Sequence, residues 1–207
     1  RHYMKPLDPE YVEEMSREGF DPHLDLAKHA GAVTQVDIDR HTSGEIDLSA
    51  LRKGYKAANY ACVYGVGPAT LSRQTGMPQG EAKKLIDAYW KRNWAVKKAA
   101  DSQRVREIDG QMWIRNPLSG FWHNLRYEKD RWSTLNQSSG VYCFDSWVKK
   151  IKTKGVRVIG QFHDEVIAEV TDRDATTMTL KNAIKEVNAD LRMNIELDVD
   201  VQFGGTY

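Results

Sequence analysis

The hydrophobic period of this chain changes near Ile108, and this change limits the fold classes open to it. Before Ile108, apolar residues recur at the spacing of amphipathic helices, whereas period-two alternation enters after it. The dipeptide Asp109-Gly110, directly after the change, favours a two-residue β-hairpin turn. The pattern therefore predicts an α+β fold, in which helices come first and small antiparallel sheets follow.

Helix boundaries before the change are marked by residues that cap or break helices. Asp8 and Ser49 are suitable N-caps, and Gly65 and Pro68 would stop the helix that Ser49 begins. Predicted helices cover residues 9–20, 49–64 and 79–104, and the polar segment 34–47, with its alternating Val36 and Ile38, is expected to be a surface excursion.

After the change, strands and helices are expected to alternate. A small β-hairpin is predicted near residues 105–126, and a second one at residues 156–170 has the charged tip His163-Asp164-Glu165. Helices are predicted at residues 132–152 and 174–192, and a last strand at residues 195–203.

Composition favours a globular protein over a membrane-spanning one. The 207 residues are 41% hydrophobic, which is enough for a sizeable core, and no apolar run approaches the roughly 18 residues of a membrane span. Cys62 and Cys143 lack metal-ligand spacing and favour a reducing compartment. We therefore expect a cytoplasmic protein with no membrane partner.

The net charge of +1 hides a basic middle segment. Residues 51–132 hold 16 Lys and Arg against 7 Asp and Glu, with six Tyr and Trp side chains interleaved at positions 55–94. Cations attract phosphates and aromatic faces stack on bases, so this segment favours a polyanion-binding surface. A solvated helix face above an aromatic core is the alternative.

Four residues spaced by four, Arg52, Lys56, Tyr60 and Tyr64, form one stripe on the predicted helix 49–64. Guanidinium and ammonium groups bind phosphate oxygens, and a Tyr ring offers a face to a base or a sugar. The alternative is an amphipathic helix whose tyrosines belong to the core and whose cations face solvent.

The hairpin tip places Asp164 and Glu165 between two apolar strands. A carboxylate at a strand end suits Mg²⁺, which takes few protein ligands and otherwise water and phosphate oxygens. Adjacent strand residues point to opposite faces, so one of the two is the expected ligand. A polar tip without function is the alternative, and zinc is disfavoured because His163 has no second His or Cys nearby.

Together these patterns resemble a known family. The stretch from Arg52 to Gly65 resembles the R-x3-K-x3-[FY]-x3-Y-G motif of the family A DNA polymerases, and His163-Asp164-Glu165 resembles their palm H-D-E hairpin. Two weaker similarities are Asp21-Pro22-His23 to a D-x-H segment, and residues 136–140 to the Q-S-x-G helix start of phage members. The resemblance covers residues 23 to about 201.

The resemblance implies an incomplete right-hand polymerase. Residues 1–140 would form a helical fingers lobe that adjoins the palm and carries the hairpin near 105–126, and residues 141–207 would form the C-terminal part of an antiparallel palm. The implied activity is Mg²⁺-dependent transfer of a nucleotide from a dNTP to the 3′-OH of a primer on template DNA, with two metal ions in the completed site.

The resemblance also implies roles for individual residues in catalysis, nucleotide binding and DNA binding. The triphosphate would be bound by Arg52, Lys56 and His23, and Lys56 would also assist catalysis of the transfer, while Tyr60 would pack on the sugar and base of the nucleotide. The DNA would be contacted by Tyr64 and Gly65 at the templating base and by Gln137 and Arg131 along the duplex. In the palm, Asp164 would ligate Mg²⁺, and His163 and Glu165 would lie near the primer terminus.

One part of the family pattern is absent. The first metal-binding aspartate of the family has no counterpart, and the opening residues Arg1–Met4 resemble those about ten positions beyond it. We therefore expect a fragment that is inactive alone and needs a second polypeptide or an upstream segment for that aspartate, the thumb and the rest of the palm. Its place would be the nucleoid of a bacterial or phage-infected cell.

Two other functions compete with this one. The chain could be a non-catalytic nucleic-acid-binding or assembly module, although such a module needs neither a triphosphate grip nor a metal ligand. It could also resemble the single-subunit RNA polymerases, which Tyr60 and Glu165 disfavour because those enzymes usually carry Met and Ser at these positions.

Overall fold

The computed structural model describes residues 1–205 and has the predicted α+β composition. Helices dominate the first half, and the chain then adds two small sheets and two long helices. In order, the elements are α1 Pro9–Glu14, α2 Pro22–His29, α3 Gln35–Thr42, α4 Ser49–Val63, α5 Pro68–Thr75, α6 Gln79–Arg92, α7 Trp94–Asp101, β1 Val105–Ile108, β2 Gln111–Arg115, β3 Trp122–Leu125, a 3₁₀ turn Glu128–Asp130, α8 Arg131–Thr153, β4 Arg157–Phe162, β5 Glu165–Glu169 and α9 Arg173–Asp190.

The first helix begins as predicted and ends early. The Asp8 carboxylate accepts a hydrogen bond from the Tyr11 backbone N–H at 3.2 Å, which confirms its role as N-cap. The predicted extension to residue 20 is wrong, because the chain turns after Glu14 and Gly19 takes a φ of 78° that an α-helix cannot contain.

The prediction that the polar segment 34–47 is a surface excursion needs correction, since the segment contains helix α3. A capping box starts this helix: the Thr34 hydroxyl accepts from the Asp37 N–H at 3.2 Å, and the Asp37 carboxylate accepts from the Thr34 N–H at 2.8 Å. None of its residues is buried, so it does lie on the surface. The alternation of Val36 and Ile38 was misleading because cap chemistry outweighed it.

Helix α4 forms where it was predicted, but Ser49 is not its cap. Leu48 occupies the cap position, and the Asp47 carboxylate accepts from the Ser49 N–H at 2.8 Å. The predicted helix 79–104 is two helices. It breaks at Asn93, whose φ of −102° and ψ of 32° are not helical and whose side chain donates to the Tyr89 carbonyl at 3.0 Å.

Both hairpins are confirmed. Asp109 and Gly110 have positive φ values of 52° and 72° in the turn between β1 and β2, as a two-residue hairpin turn requires. The sheet is larger than predicted, because β3 pairs with β2 and completes an antiparallel order β1-β2-β3. Strands β4 and β5 form a separate two-stranded sheet.

The predicted strand 195–203 does not form. The Asn188 side chain donates to the Leu197 carbonyl at 2.8 Å and accepts from its N–H at 3.0 Å, so it takes the place of a partner strand. The alternation still identifies the packed side chains, since Leu197, Val199 and Val201 lie against a core cluster. Helices α8 and α9 lie within two residues of their predicted positions.

Three core clusters organise the described part of the chain, residues 1–205. The first joins residues from α1, α7 and the start of α8; the second joins α2, α4, α5 and α6; the third joins the end of α8 to α9 and the β4-β5 hairpin. Helix α8 thus contributes to two clusters. Cys62 is buried in the second one, where burial raises the pKa of its thiol to about 12 and keeps it unreactive.

An ion-pair network fixes α2 against α1 and α6. The Arg92 guanidinium donates to the buried Asp25 carboxylate at 3.1 Å and to Glu14 at 2.5 Å, and it stacks 3.5 Å from the centroid of the Tyr11 ring. Because Asp25 is on α2, this network positions the start of α2, next to α4. Of the helices in residues 1–205, none is long and apolar enough to cross a membrane.

Candidate nucleotide and nucleic-acid site

The stripe on α4 faces solvent. Tyr60 and Tyr64 are 56% and 53% exposed, and Lys56 is exposed too. The opposite face of the helix carries Ala58 and Cys62, which are fully buried in the second core cluster. The alternative in which the tyrosines belong to the core is therefore wrong for Tyr60 and Tyr64.

Arg52, the first residue of the stripe, is held by Asp21. The guanidinium Nε donates to the Asp21 carboxylate at 2.5 Å. Asp21 is also the N-cap of α2, where it accepts from the His23 and Leu24 N–H groups at 2.8 and 3.0 Å. Burial acts to raise the pKa of Asp21, but the hydrogen bonds from Leu24, Arg52 and His23 outweigh it and lower the pKa.

Asp21 is therefore a functional candidate that sequence reasoning missed. In the sequence Asp21 belongs to the D-x-H segment, and its pairing with Arg52 joins residues 31 positions apart. The signal in the sequence was an aspartate directly before Pro22, which predicts a helix N-cap but not a partner.

His23, in the first turn of α2, lies beside the stripe. Its ring centroid is 6.1 Å from that of Tyr60, and its Nδ1 is 3.2 Å from the Asn59 side-chain nitrogen, which also donates to the Pro22 carbonyl. With Asn59 donating, Nδ1 accepts and the ring proton lies on Nε2.

Charges around His23 favour the neutral ring. Burial lowers the pKa of His23, the Asp21 carboxylate raises it, and the Arg52 and Lys56 cations lower it further. The net pKa is below the ordinary value, so His23 is neutral at pH 7 and offers one N–H donor. The structure thus brings His23, Arg52 and Tyr60 to one surface.

At the other end of α4, Tyr64, Gly65 and Gln137 come together. The Tyr64 hydroxyl accepts from the Gln137 amide at 2.9 Å. Gly65 has a φ of 66°, and its backbone lies against Lys129. Arg131 pairs with Glu128 at 2.8 Å, and its buried Nε has no hydrogen-bond partner among residues 1–205.

A buried asparagine supports the part of α8 that carries Gln137. Asn116 is 1% exposed and donates to the hydroxyls of Ser138 and Ser139 at 2.7 and 2.9 Å. The Tyr3 hydroxyl lies 2.6 Å from that of Ser139. No local pattern in the sequence indicates this role of Asn116, because its contacts with Ser138 and Ser139 cross more than 20 positions.

The hairpin tip is exposed. His163 has a φ of 55°, Asp164 lies in the turn, and Glu165 is the first residue of β5 and pairs with Phe162. The expectation that both carboxylates lie on a strand and point to opposite faces is therefore wrong, because Asp164 precedes the strand. None of the three side chains forms a hydrogen bond or ion pair with another described residue.

The hairpin tip does not form a metal-binding cluster with other described residues. Within residues 1–205, no group of three or more His, Cys, Asp and Glu side chains is placed to hold a metal ion. An exposed carboxylate such as that of Asp164 fits one protein ligand of Mg²⁺, which completes its shell with water and phosphate oxygens. The tip strands pack in the third core cluster and α4 packs in the second.

Comparisons with known proteins find relatives that share a single kind of name. DNA polymerase I of Streptococcus pneumoniae serotype 4 (strain TIGR4) is 24% identical over 213 residues, which cover 89% of this chain and 24% of that protein. DNA polymerase I of Bacillus subtilis (strain 168) is 26% identical, with 83% of this chain and 22% of that protein covered. DNA polymerase I of Helicobacter pylori (strain J99) is 27% identical over 157 residues, with 67% and 18% covered.

The chain spans about a quarter or less of the length of these relatives. The sequence profile described as DNA polymerase family A matches residues 8–113, from the N-cap of α1 into β2, and so includes the whole stripe and its partners Asp21 and His23. This match covers more than half of the 207 residues, and the chain therefore belongs to DNA polymerase family A.

Proposed function

We propose that this chain supplies the fingers, residues 1–140, and the C-terminal part of the palm, residues 141–207, to a template-directed DNA polymerase. The reaction would transfer a nucleotide from a dNTP to the 3′-OH of a primer. The observation that carries the proposal is the exposed stripe on α4, with His23 beside it, inside the segment that matches the family.

The cationic end of the stripe would bind the triphosphate. Arg52 uses only Nε toward Asp21 among the described residues, so its two terminal nitrogens are available to phosphate oxygens. Lys56 is exposed one helical turn further on and adds a point charge, and neutral His23 adds an N–H donor. Asp21 would keep the Arg52 fork in place between turnovers.

The aromatic end would meet the sugar and the bases. The exposed Tyr60 ring offers a face to the incoming nucleotide, and Tyr64 with Gly65 would lie near the templating base. Gln137, already bonded to Tyr64, and Arg131 on the same helix α8 would contact the duplex.

The proposed site needs metal ions and a second contribution of protein. Asp164 would hold Mg²⁺, and two such ions would neutralise the charge that develops on the phosphates. His163 and Glu165 would lie near the primer terminus. A second polypeptide or an upstream segment would supply another carboxylate, the thumb and the rest of the palm. Because the relatives are bacterial polymerases, we place the enzyme at the nucleoid.

Lys56→Ala tests this function, and Lys53→Ala is its matched control, since both lysines are exposed on α4. In the complete polymerase that contains this chain, Lys56→Ala removes a donor aimed at phosphate charge that shifts during transfer. We expect a loss of roughly a hundredfold in single-turnover incorporation, about 3 kcal/mol, with unchanged affinity for primer-template DNA.

The control variant Lys53→Ala should incorporate nucleotides at nearly the wild-type rate. If Lys56→Ala instead weakens DNA binding while the rate per bound complex stays intact, Lys56 is a DNA-backbone contact. Such a result would favour the non-catalytic nucleic-acid-binding module.

A further inference from the structure

Within residues 1–205, one face of the sheet β1-β2-β3 carries no buried side chain. Register places Trp113 opposite Arg106 on one side and Asn124 on the other, and Trp122 opposite Arg115. Alternate strand residues share a face. We call this face the outer face; it carries Arg106, Ile108, Gln111, Trp113, Arg115, Trp122 and Asn124. Arg104 lies next to it, because the Arg104 carbonyl accepts a hydrogen bond from the Arg115 backbone N–H.

Its opposite face is the packed one. Ile114 and Leu125 alternate with the outer residues and are buried, and β3 lies against α8. The strands therefore do not need the outer tryptophans for their own core. Large aromatic side chains on an uncovered sheet face indicate a binding surface.

The outer face contains a shallow cavity of about 260 Å³. Arg106, Ile108, Trp113 and Trp122 line it, and Ile108 is 51% exposed. The Arg106 guanidinium carbon lies 4.4 Å from the centroid of the Trp122 ring. This stacking holds the cation and the indole in a defined arrangement before anything binds.

The charged side chains on the outer face are all positive. Arg106 and Arg115 belong to it, Arg104 lies next to it, and none of the strand positions on it is a carboxylate, since Glu107 alternates to the other face. Arg115 donates from Nε to the Gly120 carbonyl at 3.2 Å, which anchors its side chain beside Trp122. The surface thus pairs flat aromatic groups with cations and with the amides of Gln111 and Asn124.

We propose that the outer face binds single-stranded DNA, with an unpaired base stacked on the tryptophans and the adjacent phosphates held by the arginines. Base–aromatic stacking requires an unstacked base, which a single strand offers and a duplex does not. An acid-free arginine surface favours a polyanion over an apolar protein partner. The site shares no residue with the α4 stripe and does not require nucleotidyl transfer.

The test compares two oligomers that differ only in their bases. Fluorescence anisotropy would measure binding of the 207-residue chain to labelled oligo(dT) and to an abasic deoxyribose-phosphate oligomer of the same length, over a range of salt. Stacking of one base contributes about 1–3 kcal/mol, so wild type should prefer oligo(dT) by at least roughly fivefold.

Trp113→Leu and Trp122→Leu should each remove most of that preference, while the affinity for the abasic oligomer stays the same. Phe203→Leu is the matched control, because Phe203 is 40% exposed but lies outside both the outer face and the basic segment 51–132. It should keep the wild-type preference for oligo(dT).

Arg106→Gln provides a variant that does not touch the sheet core. It should lower the slope of log K against log salt by roughly 0.7 for each lost phosphate contact, which keeps the proposal testable if a tryptophan variant fails to fold.

Three results would overturn the proposal. The first is equal affinity of wild type for the two oligomers, and the second is a preference that survives in both tryptophan variants. The third is self-association or binding to anionic lipid vesicles that the tryptophan variants abolish while oligomer binding is unchanged. Because no incorporation is measured, failure here is distinct from failure of the proposed polymerase function.

Discussion

At the scale of single residues, the stripe on α4 is controlled by neighbours on α2. Asp21 holds Arg52, and His23 lies beside Tyr60 with its pKa lowered by burial and by the Arg52 and Lys56 cations. Neutral His23 avoids adding a third positive charge beside Arg52 and Lys56. An arriving triphosphate would reverse this balance, because its negative charge favours the protonated ring.

Nucleotide affinity should therefore depend on pH through His23. The pKa of His23 is below 6.5 in the free chain and rises when the anion binds, so affinity increases as pH falls through the pKa of the complex and levels off below the free value. The measurement is the dNTP dissociation constant of the complete polymerase between about pH 5 and 8.

His23→Gln is the control for this experiment, because it retains a polar side chain but cannot titrate. The triphosphate's own titration is common to both proteins and cancels in the comparison. Identical pH profiles for wild type and His23→Gln would show that His23 is not beside the phosphates.

At the scale of elements, the end of α4 depends on the backbone of Gly65. Its φ of 66° turns the chain toward α5, and a Cβ there would lie 3.4 to 3.5 Å from atoms of Lys129, an ordinary contact. The cost of a side chain at this position thus comes from the left-handed backbone and not from a clash.

Gly65→Ala should lower the free energy of unfolding by about 1–2 kcal/mol. Gly54→Ala, inside the same helix with open space around it, should raise it by roughly 0.5–1 kcal/mol, because alanine is the better helix former. Urea denaturation followed by circular dichroism measures both. Equal effects of the two substitutions would contradict the backbone explanation.

At the scale of the whole molecule, the proposed function would assign DNA binding to the basic middle segment and metal binding to the acidic tip. Residues 51–132 carry a surplus of nine positive charges, whereas the tip offers exposed carboxylates without a third ligand among the described residues. DNA attraction needs only the first of these features, and two metal ions in defined geometry need more than the second.

The 207-residue chain alone should therefore bind primer-template DNA, with affinity that falls steeply as salt rises, and should not extend the primer. Binding and extension assays on the same rigorously purified preparation measure both properties. Template-directed extension that disappears in Asp164→Asn would contradict this prediction, since it would show a complete site within the chain.

Local chemistry decided what could be predicted from the sequence. The Asp8 cap, the Asp109-Gly110 turn and the spacing of four from Arg52 to Tyr64 each involve residues only a few positions apart, so the sequence alone determines them. The same holds for the existence of α4, α8 and both hairpins. The capping box of α3 was also local, and it was missed because Val36 and Ile38 imitate a strand.

The contacts between distant positions come from the folded arrangement of the chain and from no local pattern. Packing of α2 against α4 pairs Asp21 with Arg52, and the fold joins Tyr64 to Gln137 across 73 positions. Strand formation belongs to the same class: residues 195–203 alternate correctly, yet Asn188 supplies the hydrogen bonds that a neighbouring strand would have made. A strand needs a partner in space, and a short sequence pattern carries no information about which group will be there.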